Sequence, residues 1–94
     1  YIANSLKQLA ASELSVARFY YNTKHYAAAA SRLEGVIANY PNFETMDEVY
    51  LYLGQAYLKN GDREKASEAF NTLFKQFAGS EHIETAQEFI DKNF

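Results

Sequence analysis

Apolar residues fall three and four positions apart along most of the chain, the spacing that gathers them on one face of an α-helix. Val16, Ala17 and Tyr20 form one such stripe, and Ala29, Leu33, Val36, Ile37 and Tyr40 form a second. The pattern predicts helices at 3–23, 26–39, 46–60, 63–77 and 81–93. The breaks have physical causes. Pro41 has no N–H to donate and disfavours helical geometry at Tyr40, so the second helix stops there. Asn60-Gly61 supplies residues that tolerate positive φ, after which Asp62 can cap the fourth helix. Thr45-Met46-Asp47-Glu48 reads as a capping box, with Thr45 accepting from the Glu48 N–H while the Glu48 side chain reaches back. Gly79-Ser80 ends the fourth helix and offers Ser80 as a cap for the fifth. The fold class is all-α.

The stripes recur. Leu14 and Leu51, Tyr20 and Tyr57, and Ala29 and Ala66 are each 37 residues apart. In the same register Val16 matches Leu53, Ala17 matches Gly54, Leu33 matches Phe70, Val36 matches Leu73 and Tyr40 matches Phe77. Size class is kept at the apolar positions while the polar ones differ, as expected of two copies of one packing unit. Each copy is a pair of helices, A then B. Small residues at Ala17, Gly54, Ala29 and Ala66 let the pair approach. Ile83, Ala86, Phe89 and Ile90 mark a further helix A without a helix B, expected to lie over the fourth helix as a terminal cap. The expected organisation is a single domain over 1–94, with one repeat at about 3–40, a second at about 46–77 and the capping helix at 81–93.

Composition narrows the function. The 94 residues are 48% hydrophobic and 22% charged, enough apolar content for a core. Four Gly and one Pro argue against Gly-rich and many-stranded architectures. A net charge of −3 gives no basic field to hold a polyanion, so no nucleic-acid partner is expected. The absence of cysteine removes disulfides, thiolate catalysis and Cys-based zinc or iron–sulfur sites, but assigns no compartment. No apolar run approaches the ~20 residues of a membrane span. The first residue is Tyr1 rather than Met, as expected of a mature or excised piece whose targeting segment lay upstream.

Tyr50-x2-Leu53-Gly54-x2-Tyr57 followed by Ala66-x3-Phe70 resembles the tetratricopeptide (TPR) pattern, with Ala78 where its proline would stand. The first unit is a looser copy, Glu13-x2-Val16-Ala17-x2-Tyr20, then Ala29-x3-Leu33 and Pro41. The implied fold is a right-handed solenoid of antiparallel helix pairs. Three stretches carry a closer resemblance: Glu13 to Tyr20, the helix from Tyr26 through Arg32-Leu33-Glu34-Gly35-Val36, and the stop Asn39-Tyr40-Pro41. Over most of residues 7–59 the chain resembles the C-terminal half of the BamD lipoprotein family (ComL/YfiO type). Lys24-His25 departs from that family's Gly-containing turn, and the tail from Phe77 is generic.

That resemblance implies a non-catalytic scaffold of the β-barrel assembly (BAM) machinery. It implies docking onto the POTRA domain of BamA, with a BamC-type lipoprotein and unfolded outer-membrane proteins as further partners. It also implies a place at the periplasmic face of the outer membrane, through a lipid anchor upstream. The alternative is another periplasmic TPR adaptor, coordinating envelope synthesis or cell division, that holds a partner in its concave groove.

The residues offer no catalytic constellation and no cofactor. His25 falls in a loop and His82 in the first turn of the last helix, neither with a Ser or Asp partner at motif spacing. Glu44/Asp47/Glu48 and Glu81/Glu84/Glu88 could ligate a metal, yet most of these carboxylates complement helix N-termini, and no metal is expected. Helix A residues Leu14, Arg18, Tyr21, Asn22, Leu51, Gln55, Leu58 and Lys59 would line the concave face. They suit an extended peptide, though Tyr21 and Leu51 can equally pack on a neighbouring helix. Leu14 and Arg18 replace the Lys and Asn of TPR domains that clamp a carboxylate, which argues against a chaperone-tail adaptor. Arg32 flanks the buried stripe with Ala28 and Val36 at its i±4 positions, so no ion pair within its helix explains it. The resemblance implies a salt bridge from Arg32 to an acidic group on POTRA, with Glu34 beside it. Tyr26, Phe43, Tyr52 and Phe94 have no assigned core position and are candidate anchors.

Overall fold

All five periodic stretches are helical, each ending within one residue of its expected bounds. A computed structural model describes the backbone of residues 2–40 and 45–93 and the side chains of residues 10–40 and 45–92. In chain order the helices are α1 (Ile2–Asn22), α2 (Tyr26–Asn39), α3 (Met46–Lys59), α4 (Arg63–Gln76) and α5 (His82–Asn93).

The connectors follow local chemistry. Lys24 takes the left-handed conformation (φ 68°) that the missing glycine would have supplied, and the His25 N–H closes the turn on the Tyr20 carbonyl at 2.7 Å. Gly61 (φ 90°) turns the chain between α3 and α4, while Asn60 stays in the right-handed region. Asp62 caps α4 by accepting from the Lys65 N–H. Tyr40 leaves the helix ahead of Pro41, and Pro41 itself lies outside the described residues.

The capping box does not form. Thr45 has φ −104° and ψ 42° instead of extended backbone, and its hydroxyl makes no cap bond. The Glu48 N–H goes to the Thr45 carbonyl and to Asp47 Oδ1. Asp47 is held from its other oxygen by Ser80, whose hydroxyl donates to Asp47 Oδ2 at 2.6 Å and accepts from the His82 N–H. Ser80 therefore caps α5 as expected and also ties its start to the start of α3.

The A helices α1, α3 and α5 lie side by side, with α2 against α1 and α3, and α4 against α3. Among the described residues no Cα of α2 comes within 8 Å of a Cα of α4, which leaves a cleft between them floored by α3. One core joins α1, α2 and α3 through Leu14, Ala17, Leu33, Val36 and Leu53. A second joins α3, α4 and α5 through Leu51, Leu58, Phe70, Leu73 and Phe89. The four small residues are buried as the repeat requires. At Gly54 the fit is tightest, since a Cβ there would lie 2.6–2.8 Å from the Phe70 ring.

Two packing expectations need correction. Helix α5 does not rest on α4 alone. Its Ala86 and Phe89 bury into a core that α3 and α4 share, so the cap closes the seam between them. Val16, expected in the core, is 37% exposed, and neighbouring Phe19 is 63% exposed. The equivalent Leu53 is buried because α3 has α2 packed on that side, whereas no described helix covers that side of α1.

Candidate functional site

The chain presents three polar and aromatic surfaces, and the candidate residues divide among them. The first is the α1–α2 ridge. Arg32 projects from α2 toward α1, where Nη1 donates to Glu13 Oε2 at 3.3 Å. Both side chains are largely open to water (47% and 34% exposed), so this pair is worth only about 0–1 kcal/mol. Gly35, one turn further along α2, has nothing within 4 Å of the place a Cβ would occupy. The backbone beside the guanidinium is therefore uncovered. The α1–α2 turn brings residues at similar distances from it level with one another, a geometry that could have flagged Glu13 as the Arg32 partner.

The second surface lies on the A-helix side. Tyr21 of α1 meets Tyr26 of α2 and Tyr52 of α3 edge to face, with ring centroids at 5.4 and 5.8 Å. Arg18 lies over the Tyr52 ring at 5.7 Å. The Tyr21 hydroxyl is pushed above its ordinary pKa, chiefly by burial and then by the neighbouring Tyr26 and Tyr52 phenols. Three half-buried rings and an exposed guanidinium make a firm amphipathic patch, the kind of surface that anchors a protein partner. Asn22 is exposed nearby in sequence at the end of α1. Gln55 is half-buried on α3, and Lys59 reaches over the Phe89 ring of α5 at 5.5 Å. Leu14, Leu51 and Leu58, expected along the groove, are core residues at 9% exposure or less. Their apolar surface serves the repeat, and the groove is correspondingly more polar than the pattern predicted.

The third surface is the cleft between α2 and α4, about 270 Å³, with Tyr50, Leu53 and Tyr57 of α3 as its floor. Glu34 turns into this cleft, away from Arg32, because two residues along a helix are roughly 200° apart. Arg32 and Glu34 thus face different surfaces. Phe43, Phe94 and Glu44 lie outside the described residues.

His25 is exposed, with its Nδ1 2.9 Å from the Thr23 hydroxyl, and His82 is half-buried at the start of α5. No three His, Cys, Asp or Glu side chains converge as metal ligands among the described residues. No helix of the described residues is long and apolar enough to cross a membrane.

Comparison with known proteins assigns this architecture. A tetratricopeptide-repeat family matches residues 48–80, the second helix pair. The chain is 35% identical over 72 residues to the outer membrane protein assembly factor BamD of Neisseria meningitidis serogroup A / serotype 4A (strain DSM 15465 / Z2491). That match covers 77% of this chain and 27% of BamD, so the chain spans about a quarter of the length of that relative. No solved structure matches it. Residues 2–57, more than half of the chain and including the whole α1–α2 ridge, match the YfiO family, described as outer membrane lipoprotein. The chain belongs to that family.

Proposed function

We propose that this chain is a non-catalytic docking unit of the machinery that assembles proteins into the bacterial outer membrane, working at its periplasmic face. In this reading Arg32 forms an ion pair with an acidic group on the POTRA domain of BamA. A BamC-type lipoprotein and unfolded outer-membrane proteins are further partners of the longer protein. The role follows the relative's name, outer membrane protein assembly factor. The observation that carries the docking surface is Arg32 itself, half exposed and held by one solvent-open carboxylate beside a glycine with open space over it. Guanidinium suits an interfacial ion pair because its planar fork meets a carboxylate at two points and sheds water readily.

The test is calorimetric titration of this chain with the soluble POTRA domains of BamA. Arg32→Gln should weaken binding roughly tenfold or more. Glu13→Gln should tighten it, because the guanidinium no longer has an internal competitor. Unchanged affinity in both variants would remove Arg32 from the interface. A second reading, a groove-binding adaptor, is favoured by the Tyr21/Tyr26/Tyr52 cluster with Arg18 above it. Loss of partner binding in Tyr52→Ala but not in Arg32→Gln would select it.

A further inference from the structure

The cleft between α2 and α4 is not used by that docking surface, and its lining is chemically specific. Glu34 approaches it from α2 and Glu68 from α4, on opposite walls. Neither carboxylate has a hydrogen-bond or ion-pair partner among the described residues. Tyr50, Tyr57 and Leu53 line the cleft from α3, and Ala69 from α4. One cation already sits here. Lys65 Nζ lies 5.7 Å from the centroid of the Tyr57 ring, and no ion pair joins it to either glutamate. The aromatic wall of the cleft therefore holds a positive charge in the free protein, while both acidic groups remain open.

We infer that this cleft is a receptor for an arginine side chain of a protein partner, with the guanidinium between Glu34 and Glu68 and against the Tyr50 and Tyr57 rings. Charge decides the sign of the ligand. Two glutamates and one lysine leave the cleft with one net negative charge, which a single cation neutralises. Shape decides for arginine over lysine. A planar fork can donate to carboxylates on two walls at once and stack on tyrosine, whereas an ammonium is a point charge that Lys65 already supplies. Lys65 is then a placeholder that the incoming guanidinium displaces from Tyr57.

The proposal is independent of BamA, and its test uses no natural partner. The amide spectrum of the ¹⁵N-labelled chain is titrated with the peptide Ac-Ala-Arg-Ala-NH2 and with its citrulline, lysine and glutamate counterparts. The arginine peptide should shift Tyr57, Glu68 and Thr72 amides saturably. The uncharged citrulline peptide should bind roughly tenfold more weakly or not at all. Glu34→Gln/Glu68→Gln should abolish the shifts while keeping the dispersed spectrum of a folded chain. Lys65→Met should tighten binding about threefold, since a competing cation is removed. The inference is overturned if the arginine peptide moves no cleft residue, or if citrulline, lysine or glutamate does as well. It is equally overturned if Lys65→Met weakens binding. The comparison of arginine with citrulline on the unaltered chain stands even if a variant fails to fold.

Discussion

Adding one methyl group to a helical glycine should have opposite signs at Gly35 and Gly54. In both cases alanine gains about 0.8–1 kcal/mol of helix propensity. At Gly35 the methyl meets nothing within 4 Å, so Gly35→Ala should stabilise the fold by most of that amount. At Gly54 it meets Phe70 Cε1, Cζ and Cδ1 at 2.6, 2.7 and 2.8 Å, closer than carbon atoms tolerate. The ring cannot swing clear, because Phe70 is 1% exposed and packs against Phe89 of the terminal helix at 6.2 Å between centroids. Overpacking of this kind costs about 1–3 kcal/mol, enough to outweigh the propensity gain for alanine. Leucine at position 54 adds three more carbons to the same place and should cost more than ~2 kcal/mol. For a domain of this size that is a fall in Tm of roughly 8 °C or more. Thermal melts and urea titrations followed by helical circular dichroism would read both series. Phe70→Leu should recover part of the loss in Gly54→Leu, giving a coupling energy of about 0.5–3 kcal/mol in the double-mutant cycle. An unchanged Tm for Gly54→Leu, or additivity with Phe70→Leu, would refute the register that places α3 on α4 at this point.

Removing residues 81–94 should uncover Leu51, Leu58, Phe70 and Leu73, and light scattering should show aggregation where the intact chain stays dispersed; an equally stable truncation would make α5 an appendage. Ser80→Ala removes both the α5 cap and the tie to Asp47, so it should cost about 1–2 kcal/mol, with faster amide exchange in the first turn of α5 before any other helix. Tyr21 should ionise above the ordinary tyrosine pKa of about 10, because burial favours its neutral form. Its contribution to stability is therefore complete below that pH and is lost as pH rises through the higher folded-state value; Tyr21→Phe should lessen the alkaline loss of stability in a pH series of urea titrations.

The repeat made the helices legible. A 37-residue register tied α1–α2 to α3–α4, and residues with intrinsic turn chemistry fixed the boundaries. What escaped was whatever depended on a distant neighbour. Ser80 and Asp47 are 33 residues apart and Arg32 and Glu13 are 19 apart, and neither distance is a helical spacing. The Thr45 box looked complete locally, but the backbone entering α3 is not extended there. Val16 matched Leu53 in type yet not in burial, since equivalence within a repeat says nothing of what packs on its outer side. Arg32 and Glu34 are two residues apart in the chain, and chain proximity alone does not say which face each one takes. On a helix that closeness puts them on different faces.

Docking through the α1–α2 ridge, as proposed above, is best tested by a charge-reversal cycle at Arg32. Affinity for the BamA POTRA domains is measured for Arg32→Glu, for an acid-to-lysine change on the partner, and for both together. Arg32→Glu should lose roughly 2 kcal/mol of binding, about thirtyfold, and the partner's reversal should restore much of it. Folding should change by no more than about 1 kcal/mol, the part traceable to the new carboxylate facing Glu13 at the surface. A normally folded Arg32→Glu chain that binds as tightly as the original would place the docking surface elsewhere.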